Sequence, residues 1–195
     1  MDKEIIEIID GTDVVDWAEV SRVLRSAHSS NVAKGIVLPN PHLPPEQLRE
    51  KVFGLRGRIF VAKVGDRIVG TGAIALVDKD LWCGKGEYAY SFLDSVLPEY
   101  AGLGIYRGIV EAQERYALGN GVKRIFLDTD ERNLRIQDIS KRNGYKIVDY
   151  WIRGDHNSVI MVKWFSGCPY SDAYTWIKYH GIRLKRRISY LVHSR

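Results

Sequence analysis

Residues 97–108 read Leu97-Pro98-Glu99-Tyr100-Ala101-Gly102-Leu103-Gly104-Ile105-Tyr106-Arg107-Gly108. A β-type run, Tyr88 to Val96, leads in, and a helical run, Ile105 to Leu118, leads out. A glycine-containing turn from strand to helix leaves the first-turn N–H groups without intrahelical acceptors, and the helix dipole adds about half a positive charge there. Such an end seats a pyrophosphate, and glycine keeps side chains from holding the phosphates away from the backbone. Two familiar phosphate loops are excluded by spacing. A dinucleotide fingerprint needs its third glycine at Arg107, and the glycine stands at Gly108. A P-loop needs Lys followed by Ser or Thr, and neither is present.

Outward from this loop, the chain reads as an α+β domain. Glu4–Ile9 forms a short strand, and Asp13 caps a helix with Val14, Trp17, Val20, Val23 and Leu24 on helical spacing. Asn31–Pro45 is a loop, and Pro44-Pro45 starts a short helix that ends near Val52. Arg58–Lys63 and Arg67–Val77 form a hairpin across Gly65-Asp66, and Gly84-Lys85-Gly86 turns into the strand Glu87–Val96. After the glycine loop, the helix presents Ile105, Ile109, Ala112, Tyr116 and Ala117 on one side and stops at Gly119-Asn120-Gly121. Lys123–Thr129 is a buried-type strand, so strand, helix and strand imply a right-handed parallel crossover. Arg135–Asn143 is a helix ended by Gly144, and Tyr145–Ile152 with Ser158–Trp164 forms a closing hairpin.

The glycine segment resembles the acyl-CoA loop of the GNAT superfamily of N-acetyltransferases, V-x-P-x-x-[QR]-x-x-G-x-[GA], through Val96, Pro98 and Gly104, with Gly102 flanking. Ala101 replaces the usual Gln or Arg, and Tyr106 replaces the final small residue. A second motif, N-x-x-A-x-x-[LI]-Y-x-K-x-G-[FY], is matched at Asn133, Ile139, Gly144 and Tyr145, with Ser140 in the tyrosine position. The resemblance spans residues 1–164. It implies a mixed, mostly antiparallel sheet with a central βαβ unit and a splayed strand pair, and helices on both faces. It also implies acetyl-CoA as co-substrate, held by Ser95, Val96, Ala101, Gly102, Leu103, Gly104, Ile105, Tyr106 and Asn133, and a small-molecule amine as acceptor. A backbone N–H near Asp94 is then the donor to the thioester carbonyl.

Proton handling follows from the same chemistry. A lysine-like amine of pKa ~10.4 is neutral at pH 7 at a cost of ~4.6 kcal/mol, so a base or water relay is expected. Alternation places Asp94 and Tyr90 on one strand face with Phe92. Asp94 is the expected base, with Tyr90 beside it; Glu87, Asp128 and Asp130 are the other carboxylates near the two splayed strands, and their alternative role is a strand-end hydrogen bond or turn cap. The family's tyrosine acid maps to Ser140, a poorer acid, so water or departure as thiolate takes its place. Ala101, Tyr106 and Ser140 also motivate the alternative of an acyl-CoA-binding or scaffold protein that kept the fold without turnover. The histidines (28, 42, 156, 180 and 193) are scattered and read as solvated loop residues, and no metal site is expected.

Bulk properties bound the rest. The 195 residues, 45% hydrophobic and 27% charged, suit one domain with a full core, and no apolar run reaches the ~20 residues of a membrane span. Met1-Asp2-Lys3-Glu4 lacks a signal-peptide pattern, and Cys83 and Cys168 form no metal spacing, so a cytoplasmic protein with reduced thiols is expected. Lys163–Arg195 holds seven basic residues and one acidic, a net +6 against the chain's +5, so residues 1–162 carry −1. Residues 165–195 therefore read as a basic, aromatic extension, with a helix from about Ser171. It packs on the domain with a solvated basic end in preference to lying on a membrane or polyanion. A homodimer is an allowed assembly. The acceptor is expected to be set by the loops Asn31–Pro45 and Asp78–Gly86, with the tail as a further candidate, and is not named by any pattern in them.

Overall fold

A computed structural model describes residues 5–38, 40–79, 81, 86–153, 156–166 and 181. Its strands are β1 (Ile6–Asp10), β2 (Arg58–Val64), β3 (Arg67–Asp78), β4 (Glu87–Val96), β5 (Arg124–Asp130), β6 (Lys146–Arg153) and β7 (His156–Trp164). The helices are α1 (Trp17–Ala33), α2 (Pro45–Gly54), α3 (Ile105–Gly119) and α4 (Leu134–Arg142). Nearly all of the expected basic extension, both cysteines and most of the Gly84-Lys85-Gly86 turn lie outside the described residues.

The seven strands form one sheet in the order β1-β2-β3-β4-β5-β7-β6. Every neighbouring pair is antiparallel except β4 and β5, the two arms of the β4–α3–β5 crossover. β7 inserts between β5 and β6, which leaves β6 at the edge. Helices cover both faces. Gly70 and Gly72 of β3 lie under Ile105 and Ile109 of α3, whereas Ser95 of β4 meets His28 of α1 on the opposite face. Val20, Val23 and Leu24 of α1 and Leu48 and Val52 of α2 are buried against the first strands. Ala112 and Ala117 of α3 pack with Ile125, Leu127, Tyr145 and Met161.

Three local readings are corrected. The N-cap of α1 is Asp16, which accepts from the Ala18 N–H at 2.8 Å, and not Asp13; the acid next to the first helical residue makes the bond. α1 continues through Asn31 to Ala33, because the side chains after Leu24 keep a helical repeat. His28 lies on that repeat, one turn beyond Leu24, and is not a solvated loop residue. Pro45 does occupy the first position of α2.

Candidate active site

β4 and β5 each extend well beyond their contact, yet they pair only at Ala89↔Ile125 and Tyr90↔Phe126. Past this point the strands diverge. On the other side of β4, the register with β3 shifts: Thr71 pairs Ser95 and Ala73 pairs Phe92, so Gly72 stands opposite two residues, Leu93 and Asp94. This is a β-bulge. Leu93 takes φ 60°, a left-handed conformation costly for a branched side chain. The Thr71 hydroxyl donates to the Leu93 carbonyl at 2.9 Å and helps hold it.

The bulge reverses the side-chain alternation. Tyr90 and Phe92 stack with centroids 5.0 Å apart on the α1–α2 face, with Lys51 of α2 over the Phe92 ring at 5.7 Å. Tyr90 also stacks on Phe126 at 4.7 Å, and its hydroxyl donates to Asp128 at 2.8 Å across the diverging strands. Asp94 does not share this face, contrary to simple alternation. It joins Ser91 on the α3 face, and Ser95 moves to the α1 face, where its hydroxyl is 2.8 Å from His28 Nε2.

Asp94 is half-buried, and its carboxyl is held from two sides by buried partners. Its Oδ1 accepts from Gln113 Nε2 of α3 at 2.7 Å, and its Oδ2 is 2.5 Å from Ser91 Oγ. Gln113 Nε2 also donates to the Ala73 carbonyl at 3.0 Å, and its Oε1 is 3.1 Å from Ser91 Oγ. Burial pushes the Asp94 carboxyl up to about 7, against the opposing pull of the Ser91 and Gln113 hydrogen bonds. Only glycine fits at 72: a Cβ there would come within 2.5 Å of Asp94 Oδ1 and 2.8 Å of Gln113 Nε2.

The glycine loop lies at the start of α3. Ala101 to Gly104 are exposed, Gly102 and Gly104 adopt φ 85° and 82°, and Gly104 is the N-cap residue. No side chain caps this helix, and nothing lies within 4 Å of where a Gly104 Cβ would stand. The open cradle and the uncapped first turn fit a phosphate group. Ile105 is buried beneath them, and Leu103 is exposed beside them.

Tyr106 extends from the cradle toward α4. Burial raises its phenol well above the ordinary value, Asp94 and Glu114 add to the rise, and Ser140 of α4 opposes it. Ser140 Oγ faces that phenol but forms no well-directed hydrogen bond, the one such buried side-chain polar atom among the described residues. Tyr145, at the end of α4, is also raised, chiefly by burial, with Tyr106, Glu114 and Asp94 nearby. An orphaned hydroxyl at this place fits a ligand group that would bond to it.

The remaining candidates divide clearly. Burial works to raise Asp130, but hydrogen bonds from the Arg132 side chain and N–H and from the Val37 N–H outweigh it, holding the carboxyl at about 2. Asp130 thus ties the 36–38 segment to the end of β5 (Val37 N to Oδ2, 2.8 Å). Asn133 occupies the α4 N-cap position, but its side chain donates to Thr129 at 3.2 Å and closes the β5–α4 turn. Glu87 is exposed at the far start of β4. His28 is pushed down to about 4 by burial, so its imidazole is neutral near pH 7. Among the described residues, no group of three His, Cys, Asp or Glu is placed to hold a metal ion, and no helix is long and apolar enough to cross a membrane.

Sequence reading did not single out Ser91, Gln113, Gly72 or His28. Gln113 and His28 carried a signal: each is a polar residue inside the apolar stripe of its helix.

Solved structures share this architecture. The PaiA N-acetyltransferase of Thermoplasma acidophilum, in complex with coenzyme A, superposes with a TM-score of 0.63 at 18% identity, covering 82% of this chain and 99% of its own. A GCN5-related N-acetyltransferase from Kribbella flavida gives 0.61 at 18% identity, covering 82% and 97%. The yncA protein of Salmonella typhimurium, with its cofactor acetyl-CoA, gives 0.61 at 12% identity, covering 87% and 99%. No curated protein matches the sequence. The model of the acetyltransferase (GNAT) family matches residues 18–145, from the second residue of α1 to Tyr145. With both motifs inside that span and the bulged, splayed strand leading into the first of them, the chain belongs to the GNAT acetyltransferase family.

Proposed function

We propose that this protein is an acyl-CoA-dependent N-acetyltransferase acting on a small-molecule amine by direct attack on the thioester. The observation that carries the reading is the bulged β4 diverging from β5 directly before an uncapped glycine cradle. Residues Ala101–Tyr106 hold the pyrophosphate through backbone N–H groups, and Ser95 and Val96 line the arm with their backbone. Asn133 keeps the neighbouring turn closed. Bound acetyl-CoA supplies the activated acyl carbonyl and a thiolate leaving group.

The chain supplies three functions. Backbone N–H groups at the bulge stabilise negative charge as it develops on the carbonyl oxygen. Asp128, held by the Tyr90 hydroxyl, accepts the proton that the amine loses as its nitrogen bonds to the acyl carbon. Ser140 and the Tyr106 phenol donate hydrogen bonds toward the departing sulfur; the phenol's raised pKa keeps it protonated. The non-catalytic reading rests on Ala101, Tyr106 and Ser140, which stand where the family's motifs have Gln or Arg, a small residue and tyrosine.

Acetyl-CoA at 100 times its Kd is expected to stabilise the fold by ~2.7 kcal/mol, read as a rise in Tm. Thiol release from acetyl-CoA, screened over an amine panel, measures turnover. No Tm shift at millimolar acetyl-CoA overturns the proposal; a shift with no thiol release from any amine favours the binding protein.

A further inference from the structure

The hydrogen count around Asp94 decides its state. The Gln113 amide has two hydrogens, and its Nε2 lies 3.0 Å from the Ala73 carbonyl and 2.7 Å from Asp94 Oδ1. The Ala73 carbonyl fixes this orientation, because the flipped amide would set oxygen against oxygen. Ser91 has one hydroxyl hydrogen but faces two acceptors, Asp94 Oδ2 at 2.5 Å and Gln113 Oε1 at 3.1 Å. With Asp94 ionised, three hydrogens serve four contacts. With Asp94 neutral, its own O–H donates to Ser91 Oγ, the Ser91 hydrogen goes to Gln113 Oε1, and every contact is filled. Ser91 and Gln113 are buried, so an unfilled contact between them is penalised.

We infer that Asp94 is a positioning residue whose protonated carboxyl, through Ser91 and Gln113, locks the β4 bulge to β3 and α3. This rests on the acetyltransferase reading and adds a role outside the acid–base steps. The lock bears on the reaction through α3. The same helix carries the cradle at Gly104 and the clamp at Gln113, nine residues and about 13 Å further along its axis. One rigid rod thereby sets the spacing between phosphate seat and carbonyl donor. The titratable groups that interact with the carboxyl are Tyr106 of α3 and Tyr145 after α4; Glu114 of α3 acts on both phenols and pairs with Lys163 of β7 at 2.6 Å. His28 meets Ser95 on the opposite face.

Asparagine reproduces the neutral pattern: its oxygen accepts from Gln113 and its NH₂ donates to Ser91. Asp94→Asn should therefore keep kcat within about threefold. Asp94→Ala should lower kcat about 100-fold, as displaced reacting groups do, with the KM for acetyl-CoA changed far less. Equal losses in the two variants would mark an ionised base and overturn the inference; so would wild-type activity in Asp94→Ala. A second readout does not need turnover or a foldable alanine variant. At about pH 6, infrared spectroscopy of the full chain should show a protonated-carboxyl C=O band that vanishes in Asp94→Asn. Its absence from the wild type also overturns the inference. If acetyl-CoA fails to shift the wild-type Tm, the acetyltransferase reading fails on its own, and the infrared band still reports the proton.

Discussion

Replacing Asp94 with Asn should change how stability depends on pH. In the folded chain the carboxyl titrates at about 7, whereas an unfolded aspartate titrates near 3.8. The native state therefore binds the proton more tightly than the unfolded state. The contribution of this group to stability is complete below about pH 4 and declines as pH rises through 7, where the loss ends. At about 1.4 kcal/mol per pH unit, the full decline is about 4 kcal/mol, of which about 3 kcal/mol falls between pH 5 and 8. Asparagine cannot ionise and escapes the decline. Urea melts of both proteins at pH 5 and pH 8 measure it. With a slope of about 2 kcal/mol per molar, the wild-type midpoint should drop by about 1.5 M more than that of the variant. Titration of His28 is common to both and cancels in the comparison. Parallel midpoints across this range would refute a proton held at Asp94.

Other perturbations follow from the same geometry. His28 has its pKa lowered, so the native state resists its protonation, and stability falls as pH drops from 6.5 toward 4. His28→Gln should move the acid-unfolding midpoint, followed by circular dichroism, to lower pH. Gly72→Ala pushes a methyl into Asp94, Gln113 and Ile109 and should cost about 3 kcal/mol, seen as a fall in Tm. Gly104→Val places a β-branched residue at φ 82° and fills the cradle; the KM for acetyl-CoA should rise at least about tenfold with the amine KM unchanged. Unchanged acetyl-CoA affinity in that variant would place the ligand elsewhere.

The order of elements was legible because apolar periodicity, turn glycines and prolines are local signals. Pro44-Pro45 marked the start of α2, and Gly119-Asn120-Gly121 marked the end of α3. The glycine loop was legible for the same reason: the φ values of Gly102 and Gly104 are a property of those residues. The side-chain geometry of the site was not. The bulge exists only in the pairing of Leu93 and Asp94 against Gly72, so counting by twos along β4 carries Asp94 to the wrong face. Gln113 looks like an interruption in the apolar stripe of α3 until Ala73 and Asp94 are seen beneath it. The two-residue contact of β4 with β5 pairs residues 36 apart in the sequence, and nothing local encodes it.

That contact leaves the sheet with edges in its interior. β1 to β4 and β5 to β7 are each joined by long antiparallel ladders, while two residue pairs link the blocks. Beyond Tyr90 and Phe126, the facing backbone groups of β4 and β5 have the character of edge strands, open to any extended chain that can hydrogen-bond to them. A ligand arm lying between them acts as a surrogate strand. Its binding should slow amide exchange on the facing sides of both strands, and with it their tendency to pair with another molecule. On the proposed function, a preparation lacking acyl-CoA should aggregate at lower concentration than one saturated with it.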